Sequence, residues 1–217
     1  MARSGGFTLP EVMIAMTIMM VVIGGILSFY TQFYKIGFVN EQKNRINRDM
    51  RHLTGELSHA GRQSNYFIIY NSIAANDRDE AADRRLAGKS GDMLVFVYTE
   101  DGGSAFKPRV ISKLVCYYRV PGADEAGVGP LRRYTKEFPE PIEVDFSAGS
   151  AEFEAILPSV EALKSGTQLV ELAQGLINEQ LFYNFSGRSV MVSGRIYHGN
   201  NAKRVTETYN LTISPRG

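Results

Sequence analysis

The chain has 217 residues and a mass of 24.1 kDa, which suits one medium domain, or one domain plus an appended segment. Hydrophobic residues make up 44% and charged residues 22%, a globular average that excludes disorder over most of the length. Lys+Arg number 24 against 23 Asp+Glu, too balanced for electrostatic capture of nucleic acid; one cysteine, Cys116, excludes an internal disulfide, and three histidines leave little for a metal centre.

No charged residue occurs from Val12 to Tyr34. About 20 apolar residues cross a bilayer core of about 30 Å as a helix, so this run is long enough. It exceeds the h-region of a secretory signal peptide, about 7–15 residues, and continues unbroken into an amphipathic stretch. A plain signal anchor satisfies the same hydropathy criterion. Gly24-Gly25 weaken the helix in water by about 1 kcal/mol each, yet small residues let helices approach closely in a membrane.

Glu11 stands at the edge of the run. An ionised carboxylate inside a bilayer costs about 2.5–3.5 kcal/mol, so it calls for a partner. Phe7 lies four residues upstream, one helical turn away. A cut before Phe7 would create an α-amino group able to neutralise Glu11 in the same chain or a neighbour. Pro10 supports a helix that begins at Phe7: its missing N–H then falls among the four orphan donors, and the carbonyl it would clash with belongs to Gly6, which the cut removes.

Gly6-Phe7-Thr8-Leu9-Pro10-Glu11, followed by the apolar run, resembles the prepilin motif of type IV pilins and type II secretion pseudopilins. That resemblance implies a leader of residues 1–6, cleavage between Gly6 and Phe7 by a prepilin peptidase, and N-methylation of Phe7. It also implies that Glu11 pairs with the N-terminal amine of an adjacent subunit during assembly. Losing Arg3 with the leader would leave the mature chain formally neutral. The positive-inside rule points the other way: Arg3 alone precedes the run, whereas Lys35, Lys43, Arg45, Arg48 and Arg51 follow it. The resemblance implies a single pass through the bacterial inner membrane with the C-terminal domain in the periplasm.

Beyond Lys35 the helical period persists while polarity rises. Ile36, Val39, Ile46, Met50, Leu53, Leu57 and Ala60 form one apolar stripe, and Gly61 is a candidate C-terminal cap. Phe7 to Ala60 would span about 80 Å at 1.5 Å per residue. Residues 7–34 are therefore expected in lipid or a filament core, and residues 35–61 as an amphipathic half that packs under a sheet. His52 and His59 sit near one face of this half, with no third metal ligand in view.

Residues 62–217 read as an antiparallel β domain. The expected strands are Tyr66–Tyr70, Met93–Tyr98, Val110–Val120, Leu131–Thr135, Leu181–Phe185, Ser189–His198 and Arg204–Ser214. Leu169–Ile177 is a short helix or a bent strand, Asn200-Asn201 suggests a hairpin turn, and Gly102-Gly103 and Gly122–Pro130 read as turns. Asn76–Arg85 is a mixed-charge loop whose carboxylates do not match a Ca²⁺-loop spacing. Cys116 lies in an apolar strand and is expected in the core. The strand series resembles minor pilins, most of all the J-type pseudopilin of type II secretion and the W-type minor pilins.

The expected fold is therefore α+β and pilin-like, a long N-terminal helix on an antiparallel sheet. No catalytic constellation, cofactor or metal set stands out. The expected activity is that of a structural subunit, a minor pilin or pseudopilin that enters a filament through its N-terminal helix. Its expected partners are other pilin subunits, the prepilin peptidase/methyltransferase and inner-membrane lipid. Two alternatives stay open: a binding or adhesive module tethered by a signal anchor, and a DNA-uptake competence pilin. The latter would need a basic patch from Arg84-Arg85, Arg132-Arg133 or Lys203-Arg204, which read more simply as solvated strand ends.

Overall fold

The computed structural model describes residues 6–100, 109–120, 129–146, 150–200 and 203–216. Most of the leader, the Gly102-Gly103 turn, residues 122–128 of the second expected turn, and Asn201 lie outside them. The chain divides into two compact units, residues 1–42 and 43–217, and one helix, α1 (Leu9–Gln63), contributes to both.

In the first unit α1 starts at Leu9, two residues later than expected. Thr8 is its N-cap: the Thr8 carbonyl accepts from Val12 N–H at 3.2 Å. Pro10 is then the second helical residue, where no N–H partner is required. The apolar side chains of this unit are exposed around the whole helix, from Leu9 at 76% to Ile36 at 59%. By length and composition α1 can cross a membrane.

In the second unit α1 packs on an antiparallel sheet that has nine strands among the described residues. They are β1 (Tyr66–Tyr70), β2 (Ser90–Gly91), β3 (Met93–Thr99), β4 (Arg109–Arg119), β5 (Gly129–Val144), β6 (Thr167–Gly175), β7 (Phe182–Phe185), β8 (Ser189–Asn200) and β9 (Lys203–Ile213). The order is β1-β3-β4-β5-β6-β8-β7-β2, with β9 along β8. The fold is α+β and pilin-like, as expected.

One face of the sheet carries Leu94, Phe96, Val115 and Tyr117 against Ile46, Leu53, Leu57 and Ala60 of α1. Helix and sheet are also joined by polar contacts. Asp49 Oδ2 meets His198 Nε2 at 2.7 Å, Glu56 pairs with Arg133, and the Tyr98 hydroxyl donates to the Ala60 carbonyl at 3.0 Å. The opposite face carries Met93, Val95, Val97 and Cys116. It is covered by Phe153, Leu157 and Leu163 from a strap containing α2 (Glu152–Ala155) and α3 (Val160–Lys164). Burial on both faces is why β3 reads as an unbroken apolar run, whereas β9 alternates: Tyr209 and Ile213 are buried while Thr208, Asn210 and Thr212 are exposed.

Several expectations need correction. Gly61 is not the helix cap: α1 continues through Gln63, and a Cβ on Gly61 would sit 2.1 Å from Ile213 Cγ2. The glycine is there for close packing against β9. The helix ends where Ser64 turns its hydroxyl back to the Gly61 carbonyl at 2.9 Å. The Leu131–Thr135 strand is only part of β5, which starts at Gly129 and runs to Val144. Its pairing to β4 jumps from Lys113↔Glu137 to Ile111↔Ile142, so Pro139 and Pro141 fall in a bulge where no ladder N–H is needed. Those prolines hid the second half of the strand. Gly129 and Pro130, expected in a turn, open this strand. Leu169–Ile177 resolves as β6 followed by a tight turn at Asn178 (φ 52°) and Glu179 (φ 64°), closed by the Ile177↔Gln180 bridge. Strands β8 and β9 do pair as neighbours, down to Asn200↔Lys203.

Candidate functional site

Phe7 and Thr8 precede α1, and Phe7 is 87% exposed. Glu11, in the first helical turn, borders the same shallow apolar surface as Phe7, together with Val12, Ala15, Met16 and Met19. Its Oε2 accepts from both the backbone N–H and the hydroxyl of Thr8, each at 2.9 Å. This geometry follows from Thr8-Leu9-Pro10-Glu11: a threonine followed three residues later by a glutamate is half of a capping box, and a carboxylate is favoured at the positive end of the helix dipole. The Thr8 contact was not anticipated, although the T-x-x-E spacing was there to be read. Gly6, at the expected cut, has no atom within 4 Å of where its Cβ would be. The site thus holds a lone carboxylate at the lipid-length end of an apolar helix, beside an exposed Gly6-Phe7 peptide. Its chemistry is acceptance: a carboxylate positioned to take an N–H donor or a cation.

The other candidates resolve differently. His52 and His59 are exposed, and His59 contacts Gln63 at 3.1 Å. Among the described residues no group of three His, Cys, Asp or Glu is arranged to hold a metal ion. Cys116 is fully buried, and burial pushes its thiol up to about 12. The mixed-charge loop holds two 3₁₀ turns, Ala75–Asp77 and Ala81–Asp83.

The arginine pairs are not simply solvated strand ends. Arg84 Nε and Nη2 clamp the Glu154 carboxylate at 2.6 and 2.8 Å, and the Tyr70 hydroxyl donates to it at 2.8 Å. Arg132 donates to the Lys164 and Gly166 carbonyls, and Arg133 to Glu56. With Arg78 on the Pro158 carbonyl and Lys136 on the Ile156 carbonyl, both at 2.7 Å, Arg84 and Arg132 fasten the strap to the rest of the β domain, whereas Arg133 ties the sheet to α1. Burial disfavours the Glu154 carboxylate, but the Arg84 and Tyr70 hydrogen bonds outweigh it and hold the carboxyl below its ordinary range. Arg204, from the third pair, lies over the Tyr197 ring at 5.0 Å.

Residues 1–27 match the family model described as the prokaryotic N-terminal methylation motif. No curated protein and no solved structure matches the chain. The motif supports a pilin or pseudopilin structural subunit that is processed by a prepilin peptidase and assembles with other pilin subunits. With the apolar helix it supports a membrane-anchored one.

Proposed function

We propose that this chain is a minor pilin or pseudopilin. It is stored in the bacterial inner membrane through residues 7–34, with residues 35–61 continuing the helix and residues 62–217 forming a periplasmic β domain. The peptidase removes residues 1–6 and Phe7 is methylated. The subunit then enters a type IV pilus or type II secretion pseudopilus, in a priming or tip position, as a structural part without catalytic activity. The resemblance of its strand series to J-type pseudopilins and W-type minor pilins supports the minor-subunit assignment.

The observation that carries this reading is the coincidence of the methylation motif with Glu11 at the head of an exposed apolar helix. Moving that helix from lipid to a filament exchanges one apolar environment for another, so the hydrophobic gain is small. Register must then come from a polar contact. In the cut chain Phe7 carries an amine one turn from Glu11, and a subunit docked out of register would leave the carboxylate buried and unpaired.

Mass spectrometry of mature protein from cells with an active prepilin peptidase tests the processing. Methyl-phenylalanine at Phe7 is expected; a retained leader, or a cut beyond residue 30, would favour a tethered binding module. Glu11→Ala is expected to leave membrane insertion intact and to lower filament incorporation by about tenfold or more, a factor that needs only about 1.4 kcal/mol. Undiminished incorporation sinks the register role.

A further inference from the structure

The face of α1 that points away from the sheet in the second unit has one sign of charge. Opposite buried Ile46, Leu53 and Leu57, the side chains of Arg48, Arg51 and Arg62 are exposed, with His52 and His59 between them. Their spacings of three, four, seven and eleven residues lay them along one ridge about 20 Å long. The acids of α1 beyond residue 43 do not neutralise it. Asp49 is turned aside to His198 at 2.7 Å, and Glu56 is turned to Arg133. Among the described residues no ion pair involves Arg48, Arg51 or Arg62.

Gly55 lies within this ridge. It is exposed in mid-helix and has nothing within 4 Å of where a Cβ would be. A mid-helix glycine costs about 1 kcal/mol relative to alanine, and packing inside the subunit gives no reason for it. Flanked by Thr54 and Ser58, it leaves a shallow groove where another helix could come close.

From this geometry we infer that the Arg48–Arg62 ridge is the docking face for an acidic helix of a different subunit. A second copy of this chain would set arginines against arginines, with Asp49 and Glu56 already engaged by the sheet. The ridge therefore selects against self-packing and for a neighbour carrying Asp or Glu on the matching face. This rests on the filament reading, in which subunits meet through α1. A straight line of cations at helical spacing, without a Phe, Tyr or Trp among them for base stacking, fits a helix better than a nucleic acid.

The test uses the full chain in detergent micelles and, as the acidic probe, its own charge-reversed variant R48E/R51E/R62E. Wild type and variant, carrying different fluorophores, are expected to associate at least tenfold more tightly with each other than either does with itself. The preference should collapse at about 1 M salt, where screening reaches within about 3 Å. The neutral variant R48Q/R51Q/R62Q, which keeps the helix and its exposure, should lose the preference. Equal self- and mixed association overturns the inference. So does binding of wild type to a 20-base-pair duplex or to anionic vesicles that needs the same arginines while mixed pairing is absent. The Phe7 mass reads out processing separately, so failure of the docking face and failure of the filament assignment are distinguishable.

Discussion

Between Leu9 and Ile36, apolar side chains leave α1 in every direction and stay exposed: Met20, Val21 and Phe29 are each above 70%. Between Lys43 and Gln63 the same helix concentrates its apolar residues on one stripe, where Ile46, Leu53 and Leu57 are fully buried. The period is common to both stretches, and the difference is where the apolar surface is satisfied. The second stretch finds its partner inside the chain, in Phe96, Tyr117 and Ile213. For the first, the physical requirement is an apolar environment supplied from outside, by lipid or by other helices. An anchor helix and a core helix are thus joined without a break, and mutations in the two halves should fail in different ways.

The widest contrast comes from placing the same charge in each half. Leu53→Asp would bury an unpaired carboxylate and should prevent the β domain from folding, visible as loss of the cooperative thermal transition. Ile18→Asp should leave that transition unchanged. It should instead weaken membrane retention, because an acid at mid-bilayer costs about 2.5–3.5 kcal/mol. If both variants unfold the β domain alike, the division of labour along α1 is wrong.

Next in size is the strap. Glu154→Gln leaves the guanidinium of Arg84 without its counter-ion, and breaking such a buried pair costs about 3 kcal/mol, measurable by urea unfolding. The same contact gives a pH dependence. Because the folded-state carboxyl lies below its ordinary value of 4.5, the stability it contributes is fully present above that pH and is lost as pH falls through the depressed folded value. Amide protection factors across residues 150–166, taken relative to the intrinsic exchange rate at each pH, should therefore fall in acid, and Glu154→Gln should abolish that fall.

A smaller effect separates two glycines of one helix. Gly61→Ala should destabilise the domain by about 1–3 kcal/mol, since its methyl would overlap Ile213. Gly24→Ala, which meets open space, should leave the thermal transition unmoved. Smallest is a reactivity test: Cys116, buried with its thiol raised to about 12, should resist a disulfide reagent at neutral pH until the domain is unfolded.

Much of this was legible along the chain. The apolar run, the Phe7–Glu11 spacing and the alternation of Val205 to Ile213 are local patterns, and they mark helix, candidate site and strand without reference to anything distant. Cys116 in the core followed from its apolar surroundings. The strap was not legible, because Arg84 and Glu154 are 70 residues apart and meet only when the sheet is assembled. For the same reason Arg132-Arg133 looked like a solvated strand end, although one guanidinium reaches the strap and the other Glu56.

By its own periodicity and charge the sequence determined a long helix, its apolar first half and the carboxylate at its head, since each depends on neighbours within a turn or two. Tertiary structure alone decided which glycine packs and which lies open, how far β5 runs past its prolines, and which charges are neutralised. Those outcomes depend on side chains brought together from distant parts of the chain, and along α1 they leave the arginine ridge facing outward with Asp49 and Glu56 drawn toward the sheet.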